Sequence, residues 1–111
     1  MEKTVLFNIN VFIAASNGQI LIGDNVLIGP NVIIRASNHN ASDVNRPINS
    51  QGHIKGIINI GNDVWIGANS VILPNITIGD GCIIGAGSIV TKDMPGKSIC
   101  VGNPCKFLRK R

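Results

Sequence analysis

Along most of this chain an aliphatic residue returns at every sixth position, and few backbone arrangements can use such a rhythm. Ile22, Ile28 and Ile34 open the series; Ile60, Ile66, Ile72, Ile78, Ile84 and Val90 continue it. Glycine follows at 23, 29, 61, 67, 79 and 85, whereas Arg35, Leu73 and Thr91 stand after every third member. The underlying period is therefore eighteen residues, or three hexads. Three hexads per turn of the chain describe a coil with three flat sides, and successive coils then stack at the ~4.8 Å spacing of paired strands. The sequence predicts an all-β fold: a parallel β-helix of hexapeptide repeats, a three-sided prism of about four coils.

Turn chemistry supports the corners. Position four of the hexads reads Asn25, Asn31, Ser37, Asp63, Asn69, Asn75, Gly81, Gly87 and Asp93, residue types that tolerate left-handed backbone angles or bond to their own turn. Pro30 and Pro74 precede two of them, where a fixed φ suits a corner. Alternation then sorts inside from outside. Positions one and five (Val26, Val32, Val64, Ser70, Ile76, Cys82, Ser88) should point inward. Position six should point outward, in columns Leu27–Trp65–Ile83, Ile33–Val71–Ile89 and His39–Thr77–Pro95. Two of these columns are apolar, which predicts contact with neighbouring copies or with a ligand. A closed homotrimer would cover them.

The 111 residues suggest a single domain, 1–111. Within it, 1–21 read as an irregular opening coil or strand in which Val5, Phe7, Ile9, Val11 and Ile13 alternate. Residues 40–59 lack the repeat and read as an excursion loop, a type of segment that is usually functional or disordered. After Pro95 the pattern fades into a C-terminal extension, 96–111, with Gly102-Asn103-Pro104 as a break before a basic tail. Lys106, Arg109, Lys110 and Arg111 account for the whole net charge of +4. Charge so concentrated is not the diffuse basic face expected for nucleic acid; it suits a local anion or simple solubility. Three cysteines, Cys82, Cys100 and Cys105, form neither a metal spacing nor an even disulfide set, so they are expected reduced. No apolar run is long enough for a membrane span, and the opening Met1-Glu2-Lys3-Thr4-Val5 lacks a signal-peptide layout, which predicts a cytoplasmic protein.

Candidate chemistry is sparse. His39 stands where the loop leaves the prism and is either a general base or a solvated surface histidine. His53, inside the loop, reads as surface. Two histidines without clustered carboxylates predict no metal site. Trp65 is either packing at an interface or a platform beside a ligand.

From Ile22 to Lys106 the chain resembles the galactoside and maltose O-acetyltransferases and related sugar O-acetyltransferases of the left-handed β-helix class. The resemblance is carried by Ile22-Gly23-Asp24-Asn25-Val26-Leu27-Ile28-Gly29-Pro30-Asn31-Val32, by His39, by Ile60-Gly61-Asn62-Asp63-Val64-Trp65-Ile66-Gly67, by Ile84-Gly85-Ala86-Gly87-Ser88-Ile89-Val90-Thr91-Lys92-Asp93 and by Gly102-Asn103-Pro104-Cys105-Lys106. It implies left-handed crossovers, against the general right-handed rule. It also implies that acetyl-CoA is the acyl donor and that His39 is the catalytic base. Trp65, Gly67, Ala86, Thr91, Lys92, Asn103 and Pro104 would contact the coenzyme, and Asn8 or Asn10 the acceptor. The acceptor would be a sugar or saccharide. Asn40 departs from the proline that follows the histidine in the galactoside and maltose enzymes, and the N-terminal region with which they grip their sugar has no counterpart, so the acceptor stays unnamed. Two other readings remain: acylation of an amine rather than a hydroxyl, and a non-catalytic β-helix scaffold subunit.

Overall fold

The computed structural model describes residues 4–111, so Met1, Glu2 and Lys3 of the opening segment lie outside the described part. The chain winds as a triangular coil. Its first turn consists of β1 (Val5–Phe7), β2 (Phe12–Ala14) and β3 (Gln19–Ile22). The second begins with β4 (Val26–Ile28) and β5 (Ile33–Arg35), leaves the prism as a hairpin of β6 (Ser37–His39) and β7 (His53–Lys55), and returns as β8 (Ile57–Ile60). β9 (Trp65–Ile66), β10 (Val71–Ile72) and β11 (Thr77–Ile78) make the third, and β12 (Ile83–Ile84) and β13 (Ile89–Val90) open the fourth. β14 (Ser98–Gly102) lies parallel on β12, and β15 (Cys105–Lys110) folds back antiparallel on β14.

Three faces result: β1-β4-β9-β12-β14-β15, β2-β5-β10-β13, and β3-β8-β11. Register is strict, with Ile28, Ile66, Ile84 and Cys100 stacked on the first face and Ile34, Ile72 and Val90 on the second. The expected interior is the observed one. Ile34, Ile66, Ile72, Ile84, Val26, Val32, Val64 and Val90 are essentially inaccessible, as are Ser70, Cys82 and Ser88. Burying each such aliphatic side chain stabilises the coil by about 1.5–3 kcal/mol.

Corners form where the sequence places them. Asn25, Asn31, Asp63, Asn69 and Asn75 adopt φ between 57° and 63°, and Gly81 and Gly87 follow at 74° and 71°. Ser37 and Asp93 do not. Ser37 starts β6, and the Asp93 carboxylate accepts the Thr77 backbone N–H at 2.7 Å. Other corner side chains also pin the coil beneath: Asn62 Oδ1 accepts from the Asp24 N–H at 2.8 Å, and Asp80 Oδ1 from the Asn62 N–H at 2.7 Å. Glycine at 67 is a packing requirement, since a Cβ there would lie 2.6 Å from the Ala86 backbone nitrogen in the coil above.

Four expectations need correction. The opening segment is a complete three-sided coil, and its alternation does not run through one strand. A corner at Asn10 (φ 58°) interrupts it, leaving Ile9 exposed while Val5 and Val11 pack against the core. The excursion is shorter than 40–59, because Ile57–Ile60 already pairs with β3 and Ile58 is fully buried. The outward column of the third face is Leu21–Asn59–Thr77, so His39 is not part of it. β8, not the segment after Arg35, completes that side. Finally, Gly102-Asn103-Pro104 is the turn of a hairpin, and Arg111 Nη1 donates to the Asp63 carboxylate at 2.8 Å and to the Gly81 carbonyl at 3.2 Å. Part of the basic tail thus meets an anion of the chain itself, which agrees with the local-anion role expected for its charge.

The cysteines are free and sealed in the upper coils. Burial pushes the Cys82 thiol up to about 12 and raises that of Cys105. Because the thiolate is the reactive form, Ellman's reagent at pH 8 should find no thiol in the native protein and all of them after denaturation. Rapid native labelling would mean that the β14–β15 hairpin opens readily.

Candidate active site

The β6–β7 hairpin stands away from the prism. Its register sets Ser37 opposite Lys55 and His39 opposite His53. Gly56 donates its N–H to the Ala36 carbonyl at 2.7 Å, closing the neck, and Asn40 donates to the Gly52 carbonyl at 2.9 Å. Beyond it, Gln51 organises the loop: its Oε1 accepts from the Asp43 N–H at 3.1 Å, and its Nε2 donates to the carbonyls of Asp43 and Arg46 at 2.9 and 3.0 Å. His39 and His53 are both exposed, with ring centroids 4.7 Å apart and planes tilted by 35°. Neither Gln51 nor the ring pair was anticipated. The pairing depends on hairpin register, and no spacing rule in a patternless segment announces it.

The other expected site residues lie on the prism, in two groups. At the edge between the first and second faces, the corners Asn8, Gly29-Pro30, Gly67-Ala68 and Gly85-Ala86 stack in order, with the Asn103–Pro104 turn above them. Trp65 sits beside this edge, half exposed on the first face. With Leu6, Phe7, Asn8, Leu27, Ile28 and Gly29 it lines a concavity of about 300 Å³. Ala86 and Gly87 are exposed, and a Cβ at Gly87 would meet nothing within 4 Å, so the ridge is open. Gly67 is buried beneath it. Asn10 is a corner residue in left-handed conformation; Asn8, whose Oδ1 accepts from the Ile9 N–H at 2.8 Å, is the one lining the Trp65 concavity.

Thr91 and Lys92 belong to the opposite edge of the second face. They follow Val90 exactly one coil above Leu73-Pro74, in line with the Arg35–Ser37 corner from which the His39 hairpin departs. The face between the two groups carries Phe12, Ile33, Val71 and Ile89 outward. A single chain thus brings Asn8 and Trp65 together, but keeps both on the other side of an apolar face from His39. Among the described residues no three His, Cys, Asp or Glu side chains group closely enough to hold a metal ion, and no helix is long and apolar enough to cross a membrane.

The family described as bacterial transferase hexapeptide (six repeats) matches residues 58–92, and the hexapeptide repeat of succinyl-transferase matches 19–36. The chain is 47% identical over 92 residues to the galactoside O-acetyltransferase of Escherichia coli, covering 82% of this chain and 44% of that enzyme. The chain carries the hexapeptide repeats of both family models and is similar to hexapeptide-repeat acetyltransferases. Its fold is their left-handed parallel β-helix. A hexapeptide-repeat acetyltransferase from Vibrio cholerae superposes with a TM-score of 0.87 at 36% identity, over 96% of this chain and 58% of that one. A galactoside acetyltransferase in complex with coenzyme A gives 0.78 at 37% identity, over 99% and 61%. The chain therefore spans about half of the length of these relatives.

Proposed function

We propose that this chain is the β-helix of an acetyl-CoA-dependent O-acetyltransferase that acetylates a hydroxyl of a sugar or saccharide, with residues 1–111 working as one acyltransferase domain. The observation carrying this reading is the division of the candidate residues between the two edges of one apolar face. Half of a site lies along each edge, so a complete site needs the His39 edge of one copy beside the Trp65 edge of another. The outward apolar columns favour such contact, at about 25 cal/mol per Å² buried, and a closed ring of three copies satisfies every edge.

In this reading Trp65 flanks the coenzyme arm, while Ala86 leaves the ridge low enough for close approach and buried Gly67 keeps the coils beneath it in contact. The Asn103–Pro104 turn, with Thr91 and Lys92 of the facing edge, holds the adenosine end. Asn8 faces the acceptor. The coenzyme, when bound, supplies a thioester carbon open to attack. His39 accepts the proton of the acceptor hydroxyl as its oxygen bonds to that carbon, and returns the proton to the departing sulfur once the carbon–sulfur bond breaks. No acyl-enzyme is required, and every cysteine is sealed in the core away from these edges.

Isothermal titration with acetyl-CoA tests the reading. Wild-type protein should release heat, and Trp65→Ala should bind roughly tenfold more weakly, the loss typical of a buried aromatic anchor. Absence of heat with the wild type would leave only a scaffold. Thiol release measured across panels of sugars and amino sugars then identifies the acceptor; transfer to amines alone would replace the hydroxyl in this proposal.

A further inference from the structure

We infer that His53 is a positioning residue for His39: the β6–β7 hairpin seats the two imidazoles against each other so that the base is presented in one orientation. The inference rests on the reading of His39 as the base. A general base is usually held by a partner on its second nitrogen, yet among the described residues no hydrogen bond reaches the His39 ring. Contact with the His53 ring takes that place. The centroid separation of 4.7 Å lies within the range of packed aromatic pairs.

The contact is built into the backbone rather than left to two free surface side chains. Cross-strand register fixes the pair, the Asn40–Gly52 hydrogen bond closes the hairpin one residue beyond it, and Gln51 ties down the loop from which His53 emerges. An exposed histidine alone would sample several rotamers and lose productive alignment. The neighbouring ring removes that freedom and also presents its π face to the charge that forms on His39 when it accepts a proton.

The experiment measures thiol release from acetyl-CoA with the best acceptor of the sugar panel, alongside the His39 ring resonances by NMR. His53→Ala should lower kcat about fivefold to tenfold, the fold-change matching one aromatic pair, and leave KM for acetyl-CoA unchanged. It should also displace the His39 ring-proton shifts by removing the ring current. His53→Phe should restore kcat to within about twofold, because only a stacked ring is required. His53→Lys, with a fixed positive charge beside the base, should do no better than alanine. Wild-type kcat in His53→Ala, or a phenylalanine that fails to rescue, overturns the inference. His39→Ala run in parallel separates the two claims: full activity there sinks the base reading itself, whereas an inactive His39→Ala beside an unimpaired His53→Ala sinks only the stack.

Discussion

Replacing His39 with alanine should lower turnover by about 10²- to 10⁴-fold, the usual contribution of a positioned general base. The fold should survive. His39 is exposed on a hairpin that stands outside the prism, and the buried residues next to it in sequence end at Ser37. The lost contact with His53 is worth ~1 kcal/mol, too little to unfold a domain of ordinary stability. Acetyl-CoA should still bind, because the residues expected to hold it, Trp65, Ala86, Thr91, Lys92, Asn103 and Pro104, are all retained. Titration calorimetry and steady-state kinetics on one preparation would therefore separate: near-normal binding with turnover almost gone. Turnover equal to wild type would remove His39 from the mechanism, and with it the reason for the excursion to sit where it does.

Ile66→Ala should produce the largest stability loss of any single truncation considered. Ile66 is fully buried in the middle of the stack, in register between Ile28 below and Ile84 above. Truncations of this kind cost about 2–5 kcal/mol, because the cavity cannot collapse. Coils held at strand spacing by hydrogen bonds on all three faces have little freedom to close over the gap. Set against a total of about 5–15 kcal/mol for a small domain, that loss should lower Tm by roughly 10 °C or more. Ile57→Ala is the control. It removes the same atoms from a side chain that is 47% exposed and points away from the axis, so its effect should stay within about 1 kcal/mol. Similar shifts for both variants, read by thermal denaturation, would contradict the inward and outward assignment on which the fold description depends.

The two variants probe parts of the molecule that differ in how far the sequence reveals them. Ile66 could be placed from the repeat alone, since its neighbours six positions away and its partners one coil away obey the same rule. Asn25, Asn31, Asp63, Asn69 and Asn75 were legible for a similar reason: each corner's left-handed conformation is a local demand met by a local residue type. Ile58 was not legible. It is fully buried, but the segment before it lacks the repeat, and only its pairing with Ile20 on β3 shows that the chain has already rejoined the prism. His39 was misplaced for a related reason. Counting eighteen residues put it in an outward column that Asn59 actually occupies, because a count cannot tell a side of the prism from a hairpin that leaves it.

What the sequence determined by itself was the coil: its period, its three corners, the aliphatic interior and the two apolar outer columns. These follow from interactions within six residues and from the identical demand each coil makes on the next, so repetition writes them many times over. The tertiary structure alone decided three things: how the interrupted side is completed, that His53 faces His39, and that the candidate residues divide between two edges of one face. Each of these depends on a register between segments with no repeating pattern, or on the direction in which a ridge faces. Such relations are fixed by three-dimensional packing and leave no period in the chain.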